Sequence, residues 1–472
     1  MSTDLIRDLK AQVGARNIYT RDADLAAYAY DAFGASGERH PPDAVVFPAS
    51  TEEVAGVVQV CAHHRAVVIP RGAGTGYSGG AVATGGGVIV CLTRMSRILG
   101  AEGDAMRIHA QAGAITADIH HRAAELGLYY PPDPGAATTS TIGGNVACNA
   151  AGPHALRYGA TGDFVVGLTV VLGDGRVLRV GEGGEGGETT LRLLVGSEGT
   201  LGIVTEVLLR LVPAPAARAT LAATFADMQS ASDAVAAIAI AGVVPAALEF
   251  MDAGALRAVA NAGYRGVDES AGALVIVEVE GESVTTAAES DICRSALDRS
   301  GATRVEQADT PAEAARLWAI RKATSAAVAT VMIGKVNEDV VVPRDRIPDL
   351  IAFSHELEAR HDLPVVVFGH IGDGNLHVTF LLDPRQSAER ARAEDACVEL
   401  FERVLALGGS LTGEHGVGTS KVRFAEAQLG TEQIALMRTI KGTFDPHDIL
   451  NRGKKIPALA AAAPRSNAAP PS

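Results

Sequence analysis

Two pairs of side chains able to ligate a cation or move a proton, His370 with His377 and Glu414 with His415, lie in two short stretches of this chain. One is His370-Ile371-Gly372-Asp373-Gly374-Asn375-Leu376-His377, the other Glu414-His415. Imidazole nitrogen and carboxylate oxygen are the usual donors of divalent-metal sites. Apolar, β-prone runs flank the first stretch, Val365 to Phe368 before it and Val378 to Leu382 after it. Asp-Gly between such runs signals a hairpin, because a type I′ turn needs φ > 0 at both central positions. A two-residue turn at Asp373-Gly374 pairs Gly372 with Asn375, Ile371 with Leu376 and His370 with His377. Directly opposed residues hold their Cβ atoms ~5 Å apart, so the turn alone brings two imidazoles together, with Glu414 the candidate third ligand. A lone strand histidine is more often a packed residue; two opposed across a glycine turn are harder to assign to packing.

The 472 residues suffice for two or three domains with large cores. With 47% apolar and 20% charged residues the chain is globular. A net charge of −14 argues against nucleic acid or an anionic membrane as the main partner. The five cysteines (Cys61, Cys91, Cys148, Cys293, Cys397) are scattered, without a C-x-x-C. That fits a reducing compartment and neither a disulfide framework nor an iron–sulfur cluster. The N-terminus has no signal-peptide core, and no run of about 18 uncharged apolar residues reads as membrane-spanning.

The elements that would carry these residues can be read in outline. The segment to about Ala35 reads as helical. Ala44 to Phe47 is a strand, Ser50-Thr51-Glu52-Glu53 a capping box opening a helix to about His64, and Ala66 to Pro70 the next strand. Arg71-Gly72-Ala73-Gly74-Thr75-Gly76-Tyr77-Ser78-Gly79-Gly80 follows. Its Gly74-x-Gly76-x-x-Gly79 matches the dinucleotide fingerprint in letters, but that motif must open a helix, and here the strand Val88 to Leu92 comes next. Bare glycine backbone can still bind phosphate as a nest of N–H groups. Further polar glycine blocks are Pro131 to Gly135 with Thr138 to Asn145, Gly152 to Asp163, and Val195 to Val204. Together they suit an extended groove for a large nucleotide. Strands span Val165 to Leu172 and Val177 to Val180; Gly181 to Gly187 reads as a mobile loop. After Pro213 and Pro215, strands (Ala219 to Phe225, Ala246 to Phe250, Leu274 to Val279) alternate with Ala-rich helices (Met228 to Ala241, Thr285 to Ser300), an α+β domain containing the hairpin. Helices return from about Glu426 to Phe444.

These motifs, from about Pro41 to Lys455, resemble the FAD-linked oxidase superfamily typified by vanillyl-alcohol oxidase. Within it the chain is similar to the D-2-hydroxyacid dehydrogenase branch, which includes the glycolate oxidase catalytic subunit, D-lactate dehydrogenase (cytochrome) and D-2-hydroxyglutarate dehydrogenase. The resemblance implies an α+β fold. A two-part FAD-binding domain (residues 1–215, core 41–215) carries an α+β substrate cap (216–425). A C-terminal helical segment (426–456) returns to the cofactor, and the tail 457–472 is expected to be disordered. FAD would lie on Arg71, Gly72, Gly74, Thr75, Gly76, Ser78 and Gly79, and on Thr139, Ile142, Gly143, Gly144 and Asn145. Pro132, Asp133, Gly159, Ala160, Asp163, Gly199, Ile203, Val204 and Asn451 would line the rest. Some members tether the flavin through a histidine in the first glycine loop; this loop has none, which implies non-covalent FAD.

The same resemblance makes His370, His377 and Glu414 ligands of a divalent metal, zinc or manganese, and His415 the general base, histidine being the side chain that titrates nearest neutrality. Arg321, Ser325 and Lys335 stand where the hydroxyglutarate enzymes bind substrate. Thr379 replaces an Asn of those enzymes, which weighs against the longer diacid. From sequence alone Arg321 would be a solvated helix position. The implied reaction is oxidation of a D-2-hydroxy acid, D-lactate or glycolate favoured, to the 2-oxo acid. An external acceptor (a cytochrome, a quinone-linked partner or an iron–sulfur subunit) would reoxidise the flavin. The expected setting is cytoplasmic, peripheral to a membrane if the acceptor is membrane-bound, with a homodimer left open. Three rivals stand beside this reading: a hydroxyglutarate or bulkier-substrate dehydrogenase, a non-catalytic FAD-binding subunit of a multi-subunit glycolate oxidase, and a structural metalloprotein whose glycine loops are only turns.

Overall fold

Ser50 caps the helix Thr51–His64 by accepting from the Glu53 amide, and Val54, Val57, Val58 and Cys61 line its buried face. Only half of the expected capping box forms, because the Glu53 carboxylate accepts from Ala49 N–H instead of Ser50 N–H. The helix packs over a four-stranded sheet in which Ala44–Val46, Val88–Cys91 and Val68–Arg71 run parallel. The computed structural model describes residues 2–33, 39–184 and 187–457. The expected helix to about Ala35 is not continuous. Thr3–Val13 ends at Gly14 (φ +81), and a short strand and short helical turns follow. Ala35 itself, part of the loop expected at Gly181 to Gly187, and the tail beyond Pro457 lie outside the described residues.

A five-stranded antiparallel sheet follows, in the order Ile98–Glu102, Arg107–Gln111, Ile203–Arg210, Val165–Val171, Val177–Gly181. One apolar core joins both sheets, and Ile449 and Leu450 from the far end of the chain belong to it. The amide of Val68 donates to Ile449 O and that of Asn451 to Val68 O, which fixes the returning segment against the strand before the first glycine loop.

The third sheet has seven antiparallel strands: Arg304–Gln307, Ala217–Phe225, Ala273–Gly281, Ala247–Asp252, Val365–His370, Asn375–Leu382, Gly334–Val341. Helices Met228–Ile240, Ser283–Arg299, Ile347–His361 and Ser387–Ala406 bury one face of it. Ala253–Asn261 and Pro311–Val331 cover only part of the other face. No helix among the described residues is long and apolar enough to cross a membrane.

The hairpin forms with a different turn. His370 pairs with Asn375, and His377 with Phe368. Ile371–Asp373 make a 3-10 turn, the Asp373 carboxylate accepts from Asn375 N–H, and Gly374 alone takes φ > 0. The loop is therefore four residues long and not a type I′ pair. The register moves by two, so side-chain parity survives and both histidines keep the same face.

Candidate active site

Alternation along the strands puts Glu249, Met251, Phe368, His370, His377, Thr379 and Leu381 on the half-covered face of the large sheet, with Lys335, Asn337 and Asp339 beside them. Met251, Phe368 and Leu381 pack under the two helices. Where that apolar cover ends, the polar members of the same face form the site.

His370 Nε2 lies 3.1 Å and His377 Nε2 3.7 Å from Glu414 Oε1. The three donor atoms lie within 4.8 Å of one another. Two imidazoles and a carboxylate form the three-ligand set of an open, catalytic divalent site, so the residues fit an ion. Burial and the neighbouring His415 push His377 down to about 3, leaving it the neutral imidazole that ligates. Burial pushes Glu414 up, but His370 outweighs it and draws the carboxyl down to about 2. His370 shows the converse: burial lowers it, while Glu249 and Glu414 together hold it well above the ordinary imidazole value.

Glu414 and His415 ride on a loop gripped from two sides. Asp339 Oδ2 accepts from the amides of Gly413, Glu414 and His415 at 2.8–2.9 Å and from Thr412 Oγ1 at 3.0 Å. Its Oδ1 accepts from Asn375 Nδ2 at 2.6 Å. Glu198, a buried residue that follows the helix Glu188–Leu194, accepts from the amides of Val417 and Gly418. Ser78 of the first glycine loop donates to His415 O. The His415 ring is stacked between His377 (5.1 Å, 9°) and Tyr77 (4.9 Å, 27°). The site histidine and the glycine loop are thus in direct contact.

On the other side of Tyr77, Lys335 Nζ donates to Ser325 O (2.8 Å) and Oγ (3.0 Å) and sits over the Tyr77 ring. It has no carboxylate partner among the described residues, and burial pushes it down to about 8. Arg321 is buried rather than solvated. Its Nε donates to Glu249 at 2.6 Å, and its guanidinium stacks over Phe368. Thr379 is fully buried and donates to Asn337 Oδ1.

The glycine blocks meet beside this cluster. None of the backbone amides from Ala73 to Gly80 donates to a backbone carbonyl among the described residues, which leaves the nest that an anion needs. A Cβ on Gly72 would stand 2.2 Å from Thr141 Oγ1, and one on Gly199 2.9 Å from Pro70. Thr141 Oγ1 and Asn451 Oδ1 are buried without partners, while Asn451 Nδ2 ties Gly80 O to Glu198 O. Free amides and two orphaned oxygens at one place fit a nucleotide cofactor.

Other expected contacts take different roles. Arg71 donates to Tyr30 O and Ala81 O and braces the loop from within. The amides of Ile142 and Gly143 bond to Ala114 O and Ala112 O. Asn145 donates to Thr116 Oγ1, Thr139 donates to Ala136 O, and Asp163 accepts from Ala160 N–H. Asp133 pairs with Lys322 and Pro132 O bonds His120, while Gly144 stands near Thr141. Gly159 (φ +85) packs on Asp163; Ile203 and Val204 are buried strand positions.

Glu249, Asp339, Glu198 and Tyr77 were not singled out from the sequence. Glu249 and Asp339 left a signal, an acid inside an apolar strand, where a buried carboxylate demands partners.

The comparisons agree with this architecture. Residues 42–181 match the family described as FAD binding domain, and 214–455 match FAD linked oxidases, C-terminal domain. The chain is 37% identical to the glycolate oxidase subunit GlcD of Bacillus subtilis (strain 168), over 95% of this chain and 97% of that one. It is 34% identical to D-lactate dehydrogenase of Anaerostipes hadrus, over 96% and 97%. The solved structure of 4-ethylphenol oxidase from Gulosibacter chungangensis superposes with a TM-score of 0.81 at 20% identity, covering 97% of each chain, and shows the shared fold. With its nest of free amides, returning Asn451 and half-covered cap sheet, the chain belongs to the FAD-linked oxidase family and is an FAD-dependent oxidoreductase of the 2-hydroxyacid dehydrogenase branch.

Proposed function

We propose that this enzyme oxidises a D-2-hydroxy acid, D-lactate or glycolate, to the 2-oxo acid. It would use non-covalent FAD and a divalent ion, zinc or manganese, held by His370, His377 and Glu414. The observation that carries this is the meeting of that donor set, the His415 ring and Tyr77 of the glycine loop in one continuous stack. When bound, FAD supplies the two-electron acceptor and the ion the Lewis acid. His415 takes the hydroxyl proton as general base. Tyr77 covers its outer face and holds the ring parallel to His377. Arg321 and Lys335 receive the substrate carboxylate, a planar guanidinium being able to do so with two parallel bonds. Reoxidation falls to an external acceptor. A second reading, a substrate with a second carboxylate, is favoured by Lys335, a mostly buried ammonium without an anion of its own.

The test is anaerobic bleaching of the flavin by a panel of 2-hydroxy acids in both enantiomers. D-lactate or glycolate should bleach it and L-lactate should not; fastest bleaching by D-2-hydroxyglutarate would select the second reading. Exhaustive chelation should stop bleaching while the flavin spectrum persists, and zinc or manganese should restore it. Bleaching by no member of the panel rules out the reaction, and bleaching undiminished by chelation rules out the ion. Acid precipitation should leave the flavin in the supernatant; a yellow pellet would mean a covalent link.

Lys335 also gives a pH dependence. With its value pushed down to about 8 by burial, it is cationic below that pH and neutral above. Because kcat/KM reports the free enzyme, it should fall as pH rises through about 8. Lys335→Arg, which stays charged, should remove that limb. An unchanged alkaline limb would take Lys335 out of anion binding.

A further inference from the structure

Glu249 is buried beside the site, with 1% of its surface accessible, and each of its oxygens is occupied. Oε1 accepts from His370 Nδ1 at 2.6 Å and Oε2 from Arg321 Nε at 2.6 Å. A carboxylate in an apolar sheet is costly unless paired, and one partner would satisfy that need. This one has two, and they belong to different tasks.

On one side, the contact with Glu249 places the proton of His370 on Nδ1. Nε2, which shares a hydrogen with Glu414 in this structure, would be the atom freed to ligate when an ion displaces that proton, the arrangement in which an outer carboxylate sets the tautomer and basicity of a metal-ligating histidine. On the other side, Glu249 holds the guanidinium of Arg321 by Nε alone, with its Cζ 5.2 Å from the centre of the Phe368 ring. Nη1 and Nη2 have no hydrogen bond to protein among the described residues. Glu249 thus sets the plane of the cation and leaves its forked edge for an anion.

We propose that Glu249 is a positioning residue that couples two binding events, the divalent cation at His370, His377 and Glu414 and the substrate carboxylate at Arg321. The inference rests on the metal reading given under Proposed function. It adds that one buried carboxylate, which touches neither ligand, sets the affinity for both.

The experiment uses the full-length flavoprotein stripped of metal. Zinc or manganese is titrated back in competition with a chromophoric chelator, and no turnover is needed. Glu249→Gln should weaken metal binding by about 10–100-fold. The double variant Glu249→Gln/Arg321→Gln removes both charges of the buried pair, so it leaves no lone buried cation to unfold the cap, and it should show the same loss. Arg321→Gln alone should bind metal like the wild type but lose affinity for oxalate, a non-oxidisable dicarboxylate read by perturbation of the flavin spectrum. His377→Gln serves as control. If the wild type and His377→Gln bind metal alike, the metal reading fails and this inference with it. If only His377→Gln is impaired and the double variant binds like the wild type, the coupling role of Glu249 is wrong while the metal reading stands. A metal loss in Arg321→Gln equal to that in Glu249→Gln would also overturn it, because the effect would then belong to the packing of the pair.

Discussion

Replacing His415 by alanine should lower kcat by roughly 10²–10⁴-fold, the usual contribution of a positioned general base, with the flavin spectrum and the substrate-independent fold intact. The size of the effect follows from how firmly the ring is held. Its amide donates to Asp339, its carbonyl accepts from Ser78, and its imidazole is packed between His377 and Tyr77. No neighbouring imidazole can stand in for it. His370 has its two nitrogens on Glu249 and Glu414, and His377 is kept neutral with its Nε2 directed at Glu414. Stopped-flow reduction of the flavin under anaerobic conditions would measure the step directly. Reduction at near wild-type rate would remove His415 from the chemistry. Retained FAD together with slow reduction would separate the loss of a base from the loss of a cofactor.

Asp339→Ala should destabilise the protein by about 3–5 kcal/mol, the range for removing one side of a buried charged network. One oxygen of Asp339 accepts from three consecutive amides and a threonine hydroxyl, and the other from Asn375. Alanine would leave all five donors without their acceptor, each costing about 1–3 kcal/mol if water cannot reach it. Chemical denaturation would give the change, and a shift under about 1 kcal/mol would show that the loop does not depend on this residue. The pH dependence has a definite sign. Burial raises the Asp339 carboxyl, but His415, Lys421 and His377 together with the loop amides hold it well below its ordinary value. Its contribution is therefore complete above the unfolded aspartate value of ~3.9 and is lost only as pH falls through the lower folded value. Asp339→Ala and wild type should differ fully at neutral pH and converge in strong acid.

Local grammar made much of this legible. The glycine loop, the capping serine, the strand pairs and the two histidines His370 and His377 all sit in short stretches whose residue types state their geometry. The hairpin shows both the reach and the limit of such reading. Asp373-Gly374 correctly marked a reversal but not its length, because the choice between a two- and a four-residue loop depends on the 3-10 turn at Ile371–Asp373. The histidines stayed together only because the displacement was even; an odd one would have turned one of them to the opposite face. Glu249 and Asp339 escaped notice for a different reason. Their partners lie at His370, Arg321 and Gly413 to His415, across sheet pairings and a loop docking that no local pattern encodes. Arg321 reads as an ordinary surface helix residue until the helix Pro311–Val331 is laid on the sheet and its guanidinium meets Glu249 and Phe368.

The stretch from Thr412 to Gly418 is fastened at its start by an acid of the cap sheet and at its end by an acid of the flavin side. A clamshell movement that swung the two halves apart would have to tear one of these fastenings and carry His415 away from either His377 or the glycine loop. Access to His415 would then depend on local movement of the side chains around this stretch rather than on a swing of the two halves.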